Sequence, residues 1–209
     1  MIKIIVLLLI AYLLGSIPSG VWVGKTFFHV DIRRHGSKNI GTTNTYRVLG
    51  PVAGTIVLFM DVGKGYLATL IPMCVGIHSW YPLIFGVAAV LGHTFSIFDH
   101  FHGGKAVATS AGMLLAYNPG FFLIAVIVLV SCITITSMVS LGSIISFIMI
   151  VFVSLFTHDI ALTIIALGLT FFTIYRHRKN IIKILHGNEN LVPFGLYYWY
   201  LKYVKKSIK

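Results

Sequence analysis

Long apolar runs, separated by short polar or turn-forming segments, make up most of the chain. Seven such runs occupy approximately residues 2–23, 52–77, 81–98, 106–117, 121–135, 139–156 and 160–174. A membrane-spanning helix needs about 20 mostly apolar residues, whereas the strands of a membrane barrel alternate apolar and polar positions. Because these runs are continuous, they predict membrane-spanning α-helices and exclude a porin-type barrel.

Two of the runs are irregular. The first resembles a secretory signal peptide, since Lys3 precedes an apolar stretch, but it lacks a clear small-residue cleavage site and more runs follow it. We therefore expect a retained helix, kinked in its second half by the GSIPSG sequence at 15–20. The run at 106–117 is short, so we expect a half-length or broken span there. The connections SWYP, AYNPG, TSM and THD predict the turns of an antiparallel bundle.

The lysines and arginines predict which helix ends face the cytoplasm. With seven crossings and an outside N-terminus, 14 of the 16 fall on one side, which the positive-inside rule makes cytoplasmic. Six crossings would put the cationic residues of the 25–50 loop and those of the C-terminal tail on opposite sides of the membrane. The 14 residues are Lys25, Arg33, Arg34, Lys38, Arg47, Lys105, Arg176, Arg178, Lys179, Lys183, Lys202, Lys205, Lys206 and Lys209. The predicted fold is an all-α membrane helical bundle of seven transmembrane helices, formed as a single domain over residues 1–209.

The composition agrees with a membrane protein and narrows its partners. Hydrophobic residues make up 57% of the chain and charged residues 10%, against roughly 25% charged residues in soluble domains. The net charge of +11 suits an anionic membrane surface or anionic substrates better than nucleic acid, because most of the chain is lipid-soluble. Cys74 and Cys132 are interpreted as small buried hydrophobes. The Tyr- and Trp-rich stretch at 191–204 is expected in the cytoplasmic interface.

Three polar segments share the predicted cytoplasmic side, and the first is DIRRHGSKNIGTTNTYRVLG (31–50). Its glycines allow backbone N–H groups to turn toward an anion, and Arg47 can bind two phosphate oxygens at once. A solvated basic loop that only fixes topology is the alternative. The hydroxyl and amide side chains exceed what topology requires; they are Ser37, Asn39, Thr42, Thr43 and Asn44.

The second segment is GHTFSIFDHFHGGKAVATSAG (92–112), in which Gly103, Gly104 and Lys105 stand directly before an apolar helical run. A helix N-terminus carries unsatisfied N–H donors, and glycines let a phosphate approach, so these residues are a candidate phosphate site. A turn with an ordinary cytoplasmic lysine is the alternative. Gly112 is expected to allow close helix packing.

The same segment contains three histidines and one acidic residue. His93, His100 and His102 are interpreted as structural or interfacial rather than as metal ligands, because only Asp99 accompanies them. An Asp99→Ala change is therefore expected to have a mild effect on activity.

The third segment is RHRKNIIKILHGNENL (176–191), whose polar uncharged or acidic members include His177, Asn180 and Glu189. Cationic residues recur at helical spacing, which predicts a short amphipathic helix. His177 is a candidate general acid or base or a hydrogen-bond donor. A solvated tail is the alternative.

Two further polar groups lie within apolar runs. Asp61 and Lys64 are three residues apart, so on a helix they share a face and are expected to form a structural salt bridge, with substrate contact as the alternative. Ser140 and Ser143 open the sixth run. They either cap that helix or add hydroxyl donors to an anion site.

Together, six stretches resemble those of the bacterial acyl-phosphate-dependent glycerol-3-phosphate acyltransferases, the PlsY family. They are GSIPSG (15–20), GSKNIGTTNTYRVLG (36–50), DVGKG (61–65), GHTFSIF with GGKAVATSAG (92–112), SLGS (140–143) and HRKN with GNEN (177–190). Each stretch is modest evidence alone. Their order between the apolar runs is specific, and the resemblance covers nearly the whole chain.

The resemblance implies a multi-pass enzyme of the bacterial cytoplasmic membrane whose active site faces the cytoplasm. It implies transfer of a fatty acyl group from acyl phosphate to the 1-hydroxyl of glycerol-3-phosphate, which yields lysophosphatidic acid and inorganic phosphate in phospholipid synthesis. The expected partners are these two substrates and membrane lipids, with no nucleic acid, cofactor or metal. A monomer is expected to suffice.

The resemblance also implies site residues. It places Ser37, Arg47, Lys105, His177 and Asn180 in the catalytic centre. It assigns substrate binding to Asn39, Asn44, Gly103, Gly104, Gly112, Ser143 and Glu189. Two positions depart from the family pattern, since relatives often carry a cationic or polar residue where Met138 stands and a proline where Ile40 stands.

Acyl phosphate has a good leaving group, so positioning and charge stabilisation are expected to suffice without a strong nucleophile. In this hypothesis Lys105, Arg47 and the Gly103 and Gly104 amides hold the phosphates. Asn180 and Ser37 orient the carbonyl and the attacking hydroxyl. The base is either His177 or an oxygen of the substrate phosphate.

Two rival functions use some of the same features. A membrane transporter for an organic phosphate anion would use the same basic cavity, but it needs a path through the membrane midplane, often between repeated halves. All three polar segments lie on one predicted side, and the sequence has no visible internal repeat. A non-catalytic membrane scaffold would not need the Gly-Gly-Lys sequence.

Overall fold

The computed structural model describes residues 1–77 and 81–204, and within these ranges the regular secondary structure is helical. The predicted turn residues Ser79 and Trp80, and Lys205, Lys206 and Lys209 of the basic tail, lie outside the described residues. The helices are α1 (Ile2–Ser16), α2 (Ser19–Phe28), α3 (Thr42–Cys74), α4 (Tyr81–Thr94), α5 (Val107–Tyr117), α6 (Pro119–Thr136), α7 (Val139–Ser154), α8 (Ile160–Arg176), α9 (Arg178–Leu185) and α10 (Leu196–Trp199). The all-helical class is therefore confirmed over the described part of the chain.

Each predicted apolar run coincides with a helix. Among the described residues, three helices are long and apolar enough to cross a membrane, and the number rises to five if each of two bent pairs forms one span. Two shorter apolar helices, α5 and α7, account for the remaining runs. The membrane character of the helices follows from their length and composition, whereas seven crossings stays a prediction.

The predicted kink in the first run is confirmed. Helices α1 and α2 are bent by 46° at the break formed by Ile17 and Pro18. Proline has no backbone N–H and its ring clashes with the preceding turn, so it interrupts a helix. A second bent pair, α8 and α9, turns by 61° at His177.

Helix α3 begins earlier than its apolar run predicts, and its first turns fold back along the rest of the helix. Gly50 has φ 85° and ψ −176°, a conformation that glycine adopts without strain. The Tyr46 hydroxyl lies 2.8 Å from Thr55 Oγ1, and Thr42 Oγ1 donates to Asp61 Oδ2 over 3.1 Å. In an unbroken helix, the 19 residues from Thr42 to Asp61 would span about 28 Å.

The chain forms two compact units, with the N-terminal one running from Met1 to Phe122 and the C-terminal one starting at Leu123. In the N-terminal unit α1 packs against α4 and α3 against α5. One part of its apolar core contains Ala11, Ala68, Phe85 and Ala89. The single domain over residues 1–209 stays a prediction.

Helices α3 and α5 approach closely because Gly112 has no side chain, as predicted. A β-carbon at Gly112 would lie 1.9 Å from the Val62 carbonyl oxygen. We expect Gly112→Ala to separate the two helices and to lower stability by about 1–3 kcal/mol, the usual cost of overpacking. Thermal unfolding in detergent measures the effect. Gly63→Ala is the matched control, because a β-carbon there meets nothing within 4 Å; equal melting temperatures for both variants would contradict the packing role.

The loop between α2 and α3 is anchored rather than solvated throughout. Ile32 is fully buried, and Ile40 is 6% exposed, in a cluster with Val21 of α2. These two apolar side chains attach the first polar segment to α2 at Ile32 and at Ile40. The loop is therefore anchored at Ile32 and Ile40, while residues 34–38 between them are exposed to solvent.

In the C-terminal unit α7 packs against α8 and α9. The turn between α6 and α7 contains Ser137, which is fully buried and has a φ of 60°. Its carbonyl accepts from the Val192 N–H over 2.9 Å, and its hydroxyl accepts from the Tyr198 N–H over 3.0 Å. These bonds attach the aromatic segment 191–204 to the α6–α7 turn.

Candidate active site

Asn44 organises the first polar segment. Its Nδ2 donates to three backbone carbonyls, those of Asn39 at 2.9 Å, Ile32 at 3.0 Å and His35 at 3.2 Å, while its Oδ1 accepts from the Ser37 N–H over 2.8 Å. Asn44 is only 1% exposed. A buried amide that satisfies this many backbone groups fixes the loop. Asn44 thus shapes the segment, a role distinct from the substrate contact that the sequence suggested.

The other predicted residues of this segment surround that amide. Ser37 and Arg47 are exposed, and the Asn39 Oδ1 accepts from the Gly41 N–H over 2.9 Å. A β-carbon at Gly36 would lie 3.4 Å from Arg47 Cδ and 2.4 Å from Asn44 Oδ1, so the start of the loop lies against the Arg47 side chain. The structure therefore brings Ser37, Asn39 and Arg47 together around one rigid loop.

An ion-pair network at the entrance of this loop was not predicted. Arg33 Nη2 lies 2.5 Å from Asp31 Oδ2, and Arg33 Nη1 donates to Asp99. The hydrogen bonds from Arg33 hold the pKa of Asp31 well below its usual value. Asp99 is 5% exposed, so it ties the second polar segment to the first through Arg33. This pairing argues against the expected mild effect of Asp99→Ala.

The Gly103–Lys105 sequence runs directly into the N-terminus of α5, as predicted, and Lys105 is half-buried there. The Gly104 N–H donates to the His93 carbonyl over 3.1 Å. This bond satisfies a carbonyl at the end of α4, where intrahelical partners run out. It also engages the amide that we expected to bind a phosphate, and the substrate-binding role of Gly104 stays a prediction.

Asp61 and Lys64 form the predicted salt bridge, with 2.8 Å between Lys64 Nζ and Asp61 Oδ1. Ser19 Oγ donates to Asp61 Oδ1 over 2.9 Å, and Lys64 Nζ donates to the Ile17 carbonyl over 3.0 Å. Both charged residues are at most 5% exposed. A buried ion pair persists only where further hydrogen bonds complete it, and here those bonds come from the α1–α2 break and, through Thr42, from the start of α3.

In the C-terminal unit His177 stands at the bend between α8 and α9 and is 2% exposed. Its Nδ1 lies 2.9 Å from the Thr173 carbonyl oxygen. A carbonyl can only accept, so Nδ1 carries the hydrogen, and in the neutral ring Nε2 holds the lone pair. This tautomer is the one that a general base acting through Nε2 requires.

Glu189 joins two polar side chains of the same unit. Its Oε1 accepts from Asn180 Nδ2 over 2.7 Å and from Ser140 Oγ over 2.9 Å. The carboxylate thereby fixes the position of the Asn180 amide. Ser143, by contrast, is 1% exposed and donates to the Val139 carbonyl of its own helix over 2.8 Å.

The sequence did not reveal the contacts of three residues around the candidate site. Ser140 was left between capping and anion binding, and only the fold reveals Glu189 as its partner. His93 was interpreted as an isolated histidine, because Gly104 and Asp61, which lie beside it in the structure, are far from it in the sequence. Arg33 was used only to predict topology. Asp31, two residues before it, was a sequence sign that the two side chains could pair.

Comparison with known proteins places these features in one family. The sequence model of the family described as glycerol-3-phosphate acyltransferase matches residues 5–187. A glycerol-3-phosphate acyltransferase of Levilactobacillus brevis is 61% identical over 92% of this chain and 95% of its own, and one of Enterococcus faecalis is 56% identical over 93% of this chain and 94% of its own.

Two solved structures agree with the sequence matches. The crystal structure of PlsY, an integral membrane glycerol 3-phosphate acyltransferase, in its glycerol 3-phosphate form has a TM-score of 0.86 and 35% identity over 91% of this chain and 96% of that one. The lysophosphatidic acid form has a TM-score of 0.83 over 90% and 95%. The chain belongs to the glycerol-3-phosphate acyltransferase family, in its PlsY branch.

Proposed function

We propose that this protein transfers a fatty acyl group from acyl phosphate to the 1-hydroxyl of glycerol-3-phosphate. The hydroxyl oxygen forms an ester bond with the acyl carbon, the bond from that carbon to the phosphate oxygen breaks, and the hydroxyl proton leaves with a base. The products are lysophosphatidic acid and inorganic phosphate. The observation that carries the proposal is the match to glycerol-3-phosphate acyltransferases over more than nine-tenths of both chains.

The first and second polar segments supply the positive charge for the phosphates. Arg47 of the first polar segment and Lys105 of the second are the cations assigned to the phosphates. An arginine can bind two phosphate oxygens through one planar group, and a lysine before a helix N-terminus adds its charge to the helix dipole. Asn39 and Ser37 stand on the Asn44-organised loop, where they can donate to a substrate oxygen.

The residues of the third polar segment are assigned to the reacting atoms. Asn180, fixed by Glu189, orients the acyl carbonyl, and Ser143 stays a proposed substrate-binding residue despite its bond to Val139. His177 presents Nε2 with its lone pair and is one candidate for the base. A phosphate oxygen of the substrate is the other, since acyl phosphate needs only a weakly activated alcohol.

We further infer that the helices cross the cytoplasmic membrane seven times, with the N-terminus outside and the active site facing the cytoplasm. Three long apolar helices, two bent pairs and two shorter apolar helices account for seven crossings. Most of the cationic residues lie near the ends of these helices or in the segments that connect them, which supports the orientation. A monomer is sufficient in this proposal, and membrane lipids surround it.

Ser140 is expected to matter through Glu189. Ser140→Ala removes one hydrogen bond to the carboxylate, so the Asn180 amide loses part of its support, and kcat should fall about tenfold, the usual effect of losing a hydrogen bond to a charged group. Steady-state turnover with melting temperature measured in parallel tests this. Ser146→Ala is the control, because Ser146 is similarly buried on the same helix but donates only to backbone carbonyls, those of Gly142 and Ala125. Similar kcat values for the two variants would refute the role of Ser140.

The proposed function is tested with purified protein in detergent. Acyl phosphate plus glycerol-3-phosphate should give inorganic phosphate and lysophosphatidic acid in equal amounts, whereas acyl-CoA or acyl carrier protein should give neither. Product formation from acyl-CoA alone would overturn the choice of donor. Uptake of glycerol-3-phosphate into sealed proteoliposomes without product would favour the transporter instead.

A further inference from the structure

A buried polar connection runs from Asp61 to the Gly103–Lys105 segment. Asp61 Oδ1 lies 3.8 Å from His93 Nδ1, and Thr109 Oγ1 on the first turn of α5 lies 3.3 Å from the same nitrogen. None of the three side chains is more than 5% exposed. His93 therefore lies between the carboxylate of α3 and the helix that Lys105 precedes.

His93 also determines the space next to both glycines. A β-carbon at Gly104 would lie 2.2 Å from His93 Nε2, so the imidazole ring packs directly on that residue. A β-carbon at Gly103 would lie 2.1 Å from the His93 carbonyl oxygen and 2.5 Å from that of Thr94. Neither glycine has a positive φ. Both positions therefore require glycine for close approach to α4. Gly104 packs against the His93 ring, and Gly103 packs against the backbone carbonyls of His93 and Thr94.

We propose that His93 is a positioning residue that sets the place of Lys105, and that Asp61 holds the His93 ring. The inference rests on the proposed function, because it assigns Lys105 to the phosphate of glycerol-3-phosphate. Two glycines before Lys105 have no side chains with which to anchor it, so the anchor must come from the element packed on them. A catalytic group has to be held within about 0.5 Å of its productive place, and its supporting residues provide that precision.

The same carboxylate supports both phosphate-binding segments. Thr42, at the start of the folded-back part of α3, donates to Asp61 Oδ2, while His93 faces Oδ1. Asp61 thus connects the segment that carries Arg47 with the segment that carries Lys105. Loss of His93 releases only the second connection, which predicts an effect on glycerol-3-phosphate in particular.

The first test compares His93→Ala, His93→Asn and the exposed control His158→Gln. For His93→Ala we expect KM for glycerol-3-phosphate to rise about tenfold or more, as for a misplaced charged hydrogen bond, while KM for acyl phosphate changes little. His93→Asn should lie between this variant and wild type, because its amide nitrogen can stand in the place of Nδ1. His158→Gln should match wild type in both constants.

The second test uses the two glycines as a matched pair. Gly104→Ala clashes with the ring, so combining it with His93→Ala should restore activity to at least the level of His93→Ala alone. Gly103→Ala clashes with backbone carbonyls that His93→Ala leaves in place, so that combination should be worse than either single change. This pair keeps the proposal testable even where one single variant folds poorly.

Three results would overturn the inference: an unchanged KM for glycerol-3-phosphate in His93→Ala, equal rises in both KM values, or the same additive loss for both glycine combinations. Assaying the wild-type protein in parallel distinguishes failure of the His93 inference from failure of the proposed acyltransferase function. Active wild type with such variants refutes only the role of His93, whereas inactive wild type refutes the proposed function and the inference with it.

Discussion

Lys105→Ala is expected to abolish acyl transfer in protein that remains folded. The lysine stands before the N-terminus of α5, where its charge and the helix dipole act on the same anion. Removing a single group that stabilises charge in a transition state typically lowers kcat about 100- to 1000-fold. Phosphate release from acyl phosphate in the presence of saturating glycerol-3-phosphate measures the loss.

Two variants sharpen this prediction. Lys105→Arg keeps the charge but changes its geometry, so it should retain more activity than the alanine variant. Lys3→Ala removes a lysine that donates to the Val75 carbonyl, far from the motif segments, and should leave turnover unchanged. Near-normal turnover in folded Lys105→Ala would remove Lys105 from the proposed phosphate site.

Lys64→Met is expected to cause the largest loss of stability. It leaves the Asp61 carboxylate buried without its ion-pair partner, and breaking a buried pair in this way costs about 3–5 kcal/mol. The melting temperature of the protein in detergent should fall clearly, and tryptophan fluorescence recorded during heating measures it. Activity should also fall, because Asp61 holds Ser19 and Thr42 through hydrogen bonds, and Thr42 belongs to the segment that carries Arg47.

A double variant tests the cause. Asp61→Asn combined with Lys64→Met removes both charges while keeping a side chain that can accept from Ser19 and Thr42. It should be more stable than Lys64→Met alone, because no unpaired charge remains buried. If the double variant melts lower than the single one, the cost lies in lost packing of the lysine chain and not in the uncompensated carboxylate.

The helices were predictable from the sequence because hydrophobicity alone specifies them. Continuous apolar runs need internal hydrogen bonding in lipid, and a helix provides it within one segment. The bend at Pro18 and the pairing of Asp61 with Lys64 were also predictable, since both depend on neighbours within one or two turns. The fold-back at Gly50 was not predicted, although Gly50 directly precedes Pro51 and a Gly-Pro pair is a sequence sign of a turn.

The candidate site was predictable as a set of residue types but not as a set of contacts. Arg47, Lys105 and Asn180 were identified from motif chemistry, and they stay proposals. That Asn44 would bind backbone carbonyls follows from how its own loop closes. The packing of Gly104 on His93 and the bond from Ser140 to Glu189 are contacts between different elements. Such contacts are set by how helices pack, and a single sequence does not contain that information.

The central claim is that the 1-hydroxyl of glycerol-3-phosphate attacks the acyl carbon of acyl phosphate. The direct test supplies glycerol-3-phosphate labelled with oxygen-18 at the 1-hydroxyl and follows the label by mass spectrometry. We expect lysophosphatidic acid that carries the label in its ester and inorganic phosphate that carries none. Label in a glycerol bisphosphate, which would signal attack at phosphorus, or the absence of labelled lysophosphatidic acid would contradict it.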